Sequence, residues 1–220
     1  MWVIPNVEQY RIEIGNPLPD IRNHSRKDYG NRVGIWRLME VMEKHGFKGT
    51  VALNSDVCKH YPRIIEEGKK LGWEWMGHGR TNSEKPGARP EEDERKLIQE
   101  STSALVRFEG KAPTGWMTPL MMPSAVPLDL LKENGYRYVL DWPCDDQPFW
   151  MQTRAGRLLS VPYPLETNDF GTTLTFHHDA RQFVDTFVRQ FEEMVETSAR
   201  QPLVCPISLH TMIFGQAHRI

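Results

Sequence analysis

Apolar positions along the chain fall into two rhythms. Residues 31 to 45 carry Val33, Trp36, Leu38, Met39 and Met42 at helical spacing and stop at Gly46. Residues 61 to 71 open with Pro62 in the first turn and stop at Gly72. "RPEEDERKLIQESTSALVRFEG" has Pro90 and acidic residues at its start and Gly110 at its end, an order that suits the helix dipole. Residues 123 to 134 close on Gly135, and residues 179 to 198 put Phe183, Phe187, Phe191 and Met194 on one stripe. Five helices are therefore expected. Between them lie seven short apolar runs, "WVIPN", "TVALN", "WEWMG", "GWMTP", "YVLDW", "LLSVPY" and "LVCPISLH". Runs alternating with helices point to a parallel sheet with crossover helices, and runs without polar alternation to strands covered on both faces. In the stretch from Asp169 to His178, "TTLTF" is either an extra strand or a lid.

Each run leads into a polar group: Asn6 and Glu8, Asn54, His78, Trp116 with its indole N–H, Asp141, Glu166 and Asn168, and His210. The carboxyl ends of parallel strands in a barrel converge on one mouth, so these groups are expected to meet there. The length of 220 residues suits a single α/β domain over residues 1–220, and no linker breaks it. The abrupt polar "GQAHRI" suggests that residues are missing at the ends.

Composition narrows the partners. A charged fraction of 25%, a net charge of -2 and the lack of a basic stripe argue against nucleic acid and membrane surfaces. Cys58, Cys144 and Cys205 have no C-x-x-C spacing, and Met1-Trp2-Val3-Ile4-Pro5 is no secretory leader, which together predict a cytoplasmic protein. A small-molecule substrate is the expected partner.

Among the polar strand ends, His78 lies between Gly77 and Gly79, which would let a ligand approach the backbone, and His210 ends an apolar run. Asp141, Asp145 and Asp146 form an acid cluster in which one carboxyl could raise another, with Asp146 the candidate to bind a substrate N–H. Asn168 can donate to a carbonyl and accept from an amide, and Arg32, placed at the start of a helix, could reach the mouth and steady a carboxylate. Trp36, Trp116, Trp142 and Trp150 read as core or wall, with Trp116 the one to face substrate. Cys144 lacks an evident base beside it and is a weak candidate nucleophile.

Six stretches in order, "NRVGIWRLMEVMEKHG", "GHGRTN", "PTGWMTP", "DWPCDDQPFW", "PYPLETND" and "LHTMIFGQAHR", resemble the successive motifs of the polysaccharide deacetylase superfamily, specifically its allantoinase-like and cyclic-imidase-like branch. The resemblance implies a distorted (β/α)7 barrel that hydrolyses C–N bonds, assembled as a dimer or tetramer. In the metal-dependent members an aspartate pair and an H-x-x-x-H motif supply base and metal ligands, and a late histidine is the general acid. Here Asn6 and Glu8 stand at the aspartate pair and Asn82 at the second histidine. Any metal would have only Glu8, His78 and Asn82, too weak a set for tight zinc, so no cofactor is expected. The resulting assignment is catalytic Glu8, His78 and His210, with Asn6, Arg32, Asn82, Trp116, Asp146 and Asn168 binding substrate. The activity expected is metal-free hydrolysis of a small cyclic amide, imide or ureide. A zinc-dependent deacetylase of an N-acetylated sugar or other acylated amine and a non-catalytic ligand-binding barrel are the alternatives. Whether the pocket is closed or an open groove depends on the loops from Lys85 to Arg89 and from Asp169 to His178.

Overall fold

The computed structural model describes residues 1–14, 17–84, 89–124 and 126–220. Eight strands form one curled sheet in the order β6-β7-β5-β4-β3-β2-β1-β8. They are β1 (Trp2–Val7), β2 (Thr50–Leu53), β3 (Glu74–Gly77), β4 (Gly115–Trp116), β5 (Tyr138–Val139), β6 (Phe149–Thr153), β7 (Gly156–Ser160) and β8 (Pro206–His210). All seven expected runs pair in parallel, and the barrel-like architecture stands. The eighth strand, β6, is antiparallel to β7 through a tight turn at Gly156. Sequence periodicity hid it because "FWMQT" sits at the sheet edge, with Trp150 58% exposed, and so lacks a clean apolar run.

An interior strand, β1, carries a proline, which is rare away from sheet edges because it has no N–H to donate. Pro5 is tolerated by a gap in the ladder. β1 pairs with β8 without interruption from Trp2 to Asn6, whereas towards β2 it pairs at Val3 with Gly49 and then again only from Asn6. The free edge of β8 is covered at the mouth by the loop before the last long helix, where the Ser208 N–H donates to the Thr167 carbonyl at 3.0 Å.

Helices α2 (Ile35–Lys44), α4 (Pro62–Lys70), α5 (Glu91–Glu109), α6 (Pro127–Glu133) and α7 (Ala180–Ser198) answer the five expected ones. Among the described residues, three more α-helices were not foreseen: α1 (Ile21–Tyr29), the short α3 (Ser55–His60) and α8 (Thr211–Phe214). The first matters most. α1 is capped by the Asp20 side chain, which accepts from the Asn23 N–H at 3.1 Å, and runs through a π turn at Gly30–Gly34 straight into α2. Its sequence "IRNHSRKDY" has no apolar stripe, so the helix was expected to start ten residues later. The π turn packs on α8: a methyl group built on Gly30 or Gly34 would collide with Thr211. "TTLTF" is not a strand: it lies largely in a second π turn, Gly171–Thr175, with Thr172 and Thr173 buried. The largest apolar core joins β1, β2 and β3 to α2 and α4 through Val51, Leu53, Ile35, Met39, Ile64 and Trp75. No helix among the described residues is long and apolar enough to cross a membrane.

Candidate active site

Glu8 leaves the carboxyl end of β1 and its side chain is buried. A carboxylate there needs partners, since an unpaired buried charge costs several kcal/mol. It has four. The Lys27 ammonium, reaching in from α1, pairs with Oε2, and the Asn82 amide donates to Oε1. On the same Oε1 the Nε2 atoms of His78 and His210 converge at 3.6 and 3.8 Å. Burial alone would raise the Glu8 carboxyl, but Lys27 and then the two imidazoles outweigh it and hold it well below the usual carboxylate range.

Each imidazole is held by its other nitrogen. His78, at the exit of β3, has Nδ1 2.7 Å from the Met117 carbonyl; a carbonyl only accepts, so Nδ1 carries a proton and Nε2 faces Glu8. Among the described residues that Nε2 has no hydrogen-bond partner. His210, ending β8, has Nδ1 2.6 Å from Asp169 Oδ1, while its backbone N–H donates to Oδ2 of the same carboxylate at 2.8 Å. Asp169 is fully buried; burial pushes its carboxyl up and His210 pulls it part of the way back.

Asn54 ties the first three strand exits together. Its Oδ1 accepts from the Gln9 N–H at 2.9 Å, and its amide donates to the His78 carbonyl and, at 3.1 Å, to Asn82 Oδ1. Asn82 is thereby oriented, oxygen to Asn54 and NH₂ to Glu8. Further round the mouth, Asp141 accepts from the Thr118 N–H at 2.7 Å and the Thr118 hydroxyl at 2.5 Å, which pins the residue next to the Met117 carbonyl that holds His78. Burial, opposed by these bonds, raises the Asp141 carboxyl to about 6.

These groups floor a cleft of about 260 Å³, with polar Glu8, Lys27, His78, Asn82 and His210 below apolar Met117, Leu120, Met121, Leu165 and Phe170. Small-molecule sites usually start near ~300 Å³, so the volume is that of a site for one small ring or acyl group. A divalent metal fits this donor set poorly. Both Glu8 oxygens already face N–H donors, one of them a cation, and Asn82 presents its NH₂ rather than a lone pair. Among the described residues, no three His, Cys, Asp or Glu side chains are grouped so as to hold a metal ion.

Glu8, His78, His210, Asn82 and Asn168 are thus brought together around one cleft. Other expected site residues are elsewhere. Asn6 lies beneath it, fully buried, with its amide on Ser208 Oγ at 2.8 Å. Asn168 lines the cleft but spends its oxygen on the Phe170 N–H at 2.9 Å. Arg32 does not reach the mouth: because the helix begins at Ile21, it lies in the π turn with its side chain 69% exposed, pairing with Asp28 at 3.6 Å. Trp116 points away from the cleft into the core against Tyr136, and Asp146 is exposed on a neighbouring groove beside α7 that meets the cleft at Tyr163 and Leu165. Trp142 and Trp150 are exposed rather than core. Nor do the glycines flanking His78 admit a ligand: Gly77 makes room for the Trp116 ring, and Gly79, at φ +61°, for Pro119. The acid cluster does not share a pocket, because Asp145 and Asp146 are exposed while Asp141 is buried. Residues 85 to 88 of the first expected mouth loop lie outside the described residues.

Two side chains of the candidate site escaped the sequence reading. Lys27 sits in a polar stretch with nothing to mark it, and Asp169 stood out only as the start of the unassigned stretch to His178, although its pairing with His210 spans 41 positions.

Residues 27–139 match the family model for polysaccharide deacetylase. Curated relatives include a protein of Schizosaccharomyces pombe provisionally named a polysaccharide deacetylase, 26% identical over 87% of this chain and 65% of its own length. Another is the peptidoglycan deacetylase of Helicobacter pylori, 27% identical over 71% of this chain and 52% of its own length. The chain thus spans between half and two thirds of these relatives. Among solved structures, a provisionally named polysaccharide deacetylase of Pseudomonas aeruginosa PAO1 superposes with a TM-score of 0.88 at 24% identity, covering 99% of this chain and 80% of the other. The Puue allantoinase superposes with a TM-score of 0.89 at 22% identity, covering 99% and 79%. With the family model matching over more than half its length and the same fold from end to end, this chain belongs to the polysaccharide deacetylase family.

Proposed function

We propose that the protein is a hydrolase of C–N bonds in a small cyclic amide, imide or ureide, and that it works without a metal. The observation that carries this is the composition of the cleft floor: two imidazoles converge on one carboxylate that is already neutralised by Lys27 and Asn82. A carboxylate held this far down is a weak base, so Glu8 is assigned as the anion that stabilises charge on the imidazoles. His78, backed by a neutral carbonyl, takes a proton from water at Nε2 as the oxygen adds to the substrate carbonyl carbon. His210, its Nδ1 held by the Asp169 carboxylate, gives a proton from Nε2 to the leaving nitrogen as the C–N bond breaks. Asn82, held between Asn54 and Glu8, positions the carboxylate rather than a metal. The apolar wall of Met117, Met121 and Phe170 would exclude bulk water from a bound ring.

The test is turnover of cyclic imides, allantoin and N-acetylated sugars by chelator-treated protein. Ring opening that survives chelation, and that His78→Ala and His210→Ala each lower by roughly 10²-fold, is the expected result. Sugar deacetylation abolished by the chelator and restored by zinc would replace this proposal with the metal-dependent one. No turnover in either class would favour a ligand-binding barrel.

A further inference from the structure

Lys27 is the only Lys or Arg among the described residues lining the cleft, and it is an unusual place for one. Lysine is among the residues least often buried, yet this side chain is only 10% exposed, with its ammonium on Glu8 and 5.8 Å from the centroid of the Phe170 ring. The groups around it stand somewhat wider apart than the ligands of a metal ion would. Ligand atoms on a tetrahedral zinc with bonds of about 2.0–2.1 Å stand roughly 3.3 Å apart, and Glu8 Oε1 lies 3.6 and 3.8 Å from the two Nε2 atoms. What spoils the site is that N–H donors already hold both carboxylate oxygens, the Lys27 ammonium on Oε2 and the Asn82 NH₂ on Oε1, and the ammonium brings the positive charge a metal would otherwise bring.

We propose that the Lys27 ammonium takes the electrostatic place of a divalent ion in this cleft, holding Glu8, keeping a metal out, and offering its remaining N–H groups to the carbonyl or carboxylate oxygen of a bound ligand. The metal-excluding part stands on the geometry alone, and the oxygen-binding part rests on the hydrolase function proposed above. The positioning of Lys27 follows from the helix: only because α1 precedes the π turn does residue 27 reach the mouth while Arg32 stays outside.

The deciding measurement is calorimetric titration of zinc chloride into the wild-type protein, Lys27→Met and Lys27→Gln, with thermal melts to establish folding. Glutamine keeps an N–H for Glu8 without the charge, so it serves should the methionine variant leave Glu8 unpaired and fail to fold. Each folded neutral variant is expected to bind one zinc at least tenfold more tightly than the wild type. Equal affinity in the wild type and a folded Lys27→Gln protein, or one tightly held zinc in the wild type, would overturn the proposal. On any ring substrate the wild type opens, zinc-free Lys27→Gln should lose at least tenfold in kcat while Lys27→Arg retains most of it; an unchanged Lys27→Gln refutes the oxygen-binding role. A panel with no turnover would sink the hydrolase function and leave the zinc comparison to decide Lys27.

Discussion

Asp141→Asn should make the protein more stable at pH 8 and leave it nearly unchanged at pH 4. Asp141 is buried, and among the described residues it forms no salt bridge and its hydrogen-bond partners are the Thr118 N–H and hydroxyl. Burial therefore lifts its carboxyl from the ordinary 3.8 to about 6. Because the folded protein holds this proton more tightly than the unfolded chain, stability is fullest below pH 3.8 and is lost as pH rises from there through about 6. A gap of about 2.2 between the two values, at 1.36 kcal/mol for each, amounts to about 3 kcal/mol on the alkaline side. Asparagine reproduces the protonated acid, since its oxygen accepts from the Thr118 N–H and its NH₂ donates to the Thr118 hydroxyl. The variant should escape the loss, gaining up to about 3 kcal/mol at pH 8 and within about 0.5 kcal/mol at pH 4. Urea unfolding of both proteins at several pH values between 4 and 8 reads this directly. A difference that does not change with pH, or a wild type that is the more stable at pH 8, would mean that Asp141 is ionised at no cost in its folded surroundings.

Asp169→Asn removes the carboxylate that receives both the His210 ring and its backbone N–H, so kcat should fall by on the order of 10²-fold with little change in KM. An unaltered kcat in a folded variant would show that the proton on His210 needs no such partner. Asn82→His restores the H-x-x-x-H pair and should strengthen zinc binding, measured by the same titration, with Glu8 and His78 as companions. Turnover should not rise with the added zinc; a rise would return the site to metal chemistry.

Local pattern was enough to place most of the scaffold and part of the site. Apolar runs and glycine stops are consequences of burial and backbone freedom within a few residues, so the seven parallel strands and five of the helices could be read one window at a time. The polar residues at or just past the ends of β1, β3 and β8 could be read in the same way, and parallel pairing brings the strand ends that carry Glu8, His78 and His210 to one side of the sheet. Tertiary structure decided which neighbours those three have and hence what they can do. Lys27 came into the cleft because a polar segment turned out to be helix, held by an Asp20 cap and by glycines pressed onto α8, and the same shift carried Arg32 away. Trp116 went to the core because Gly77 leaves space for its ring, and Asp146 came to the exposed part of the β5–β6 connection while Asp141 at its start was buried. The charge state of Glu8 and the anchoring of His210 depend on contacts 19 and 41 positions apart. Such pairs leave no periodicity in a chain, since they are selected by the shape of the folded mouth and not by any local preference of the residues that make them.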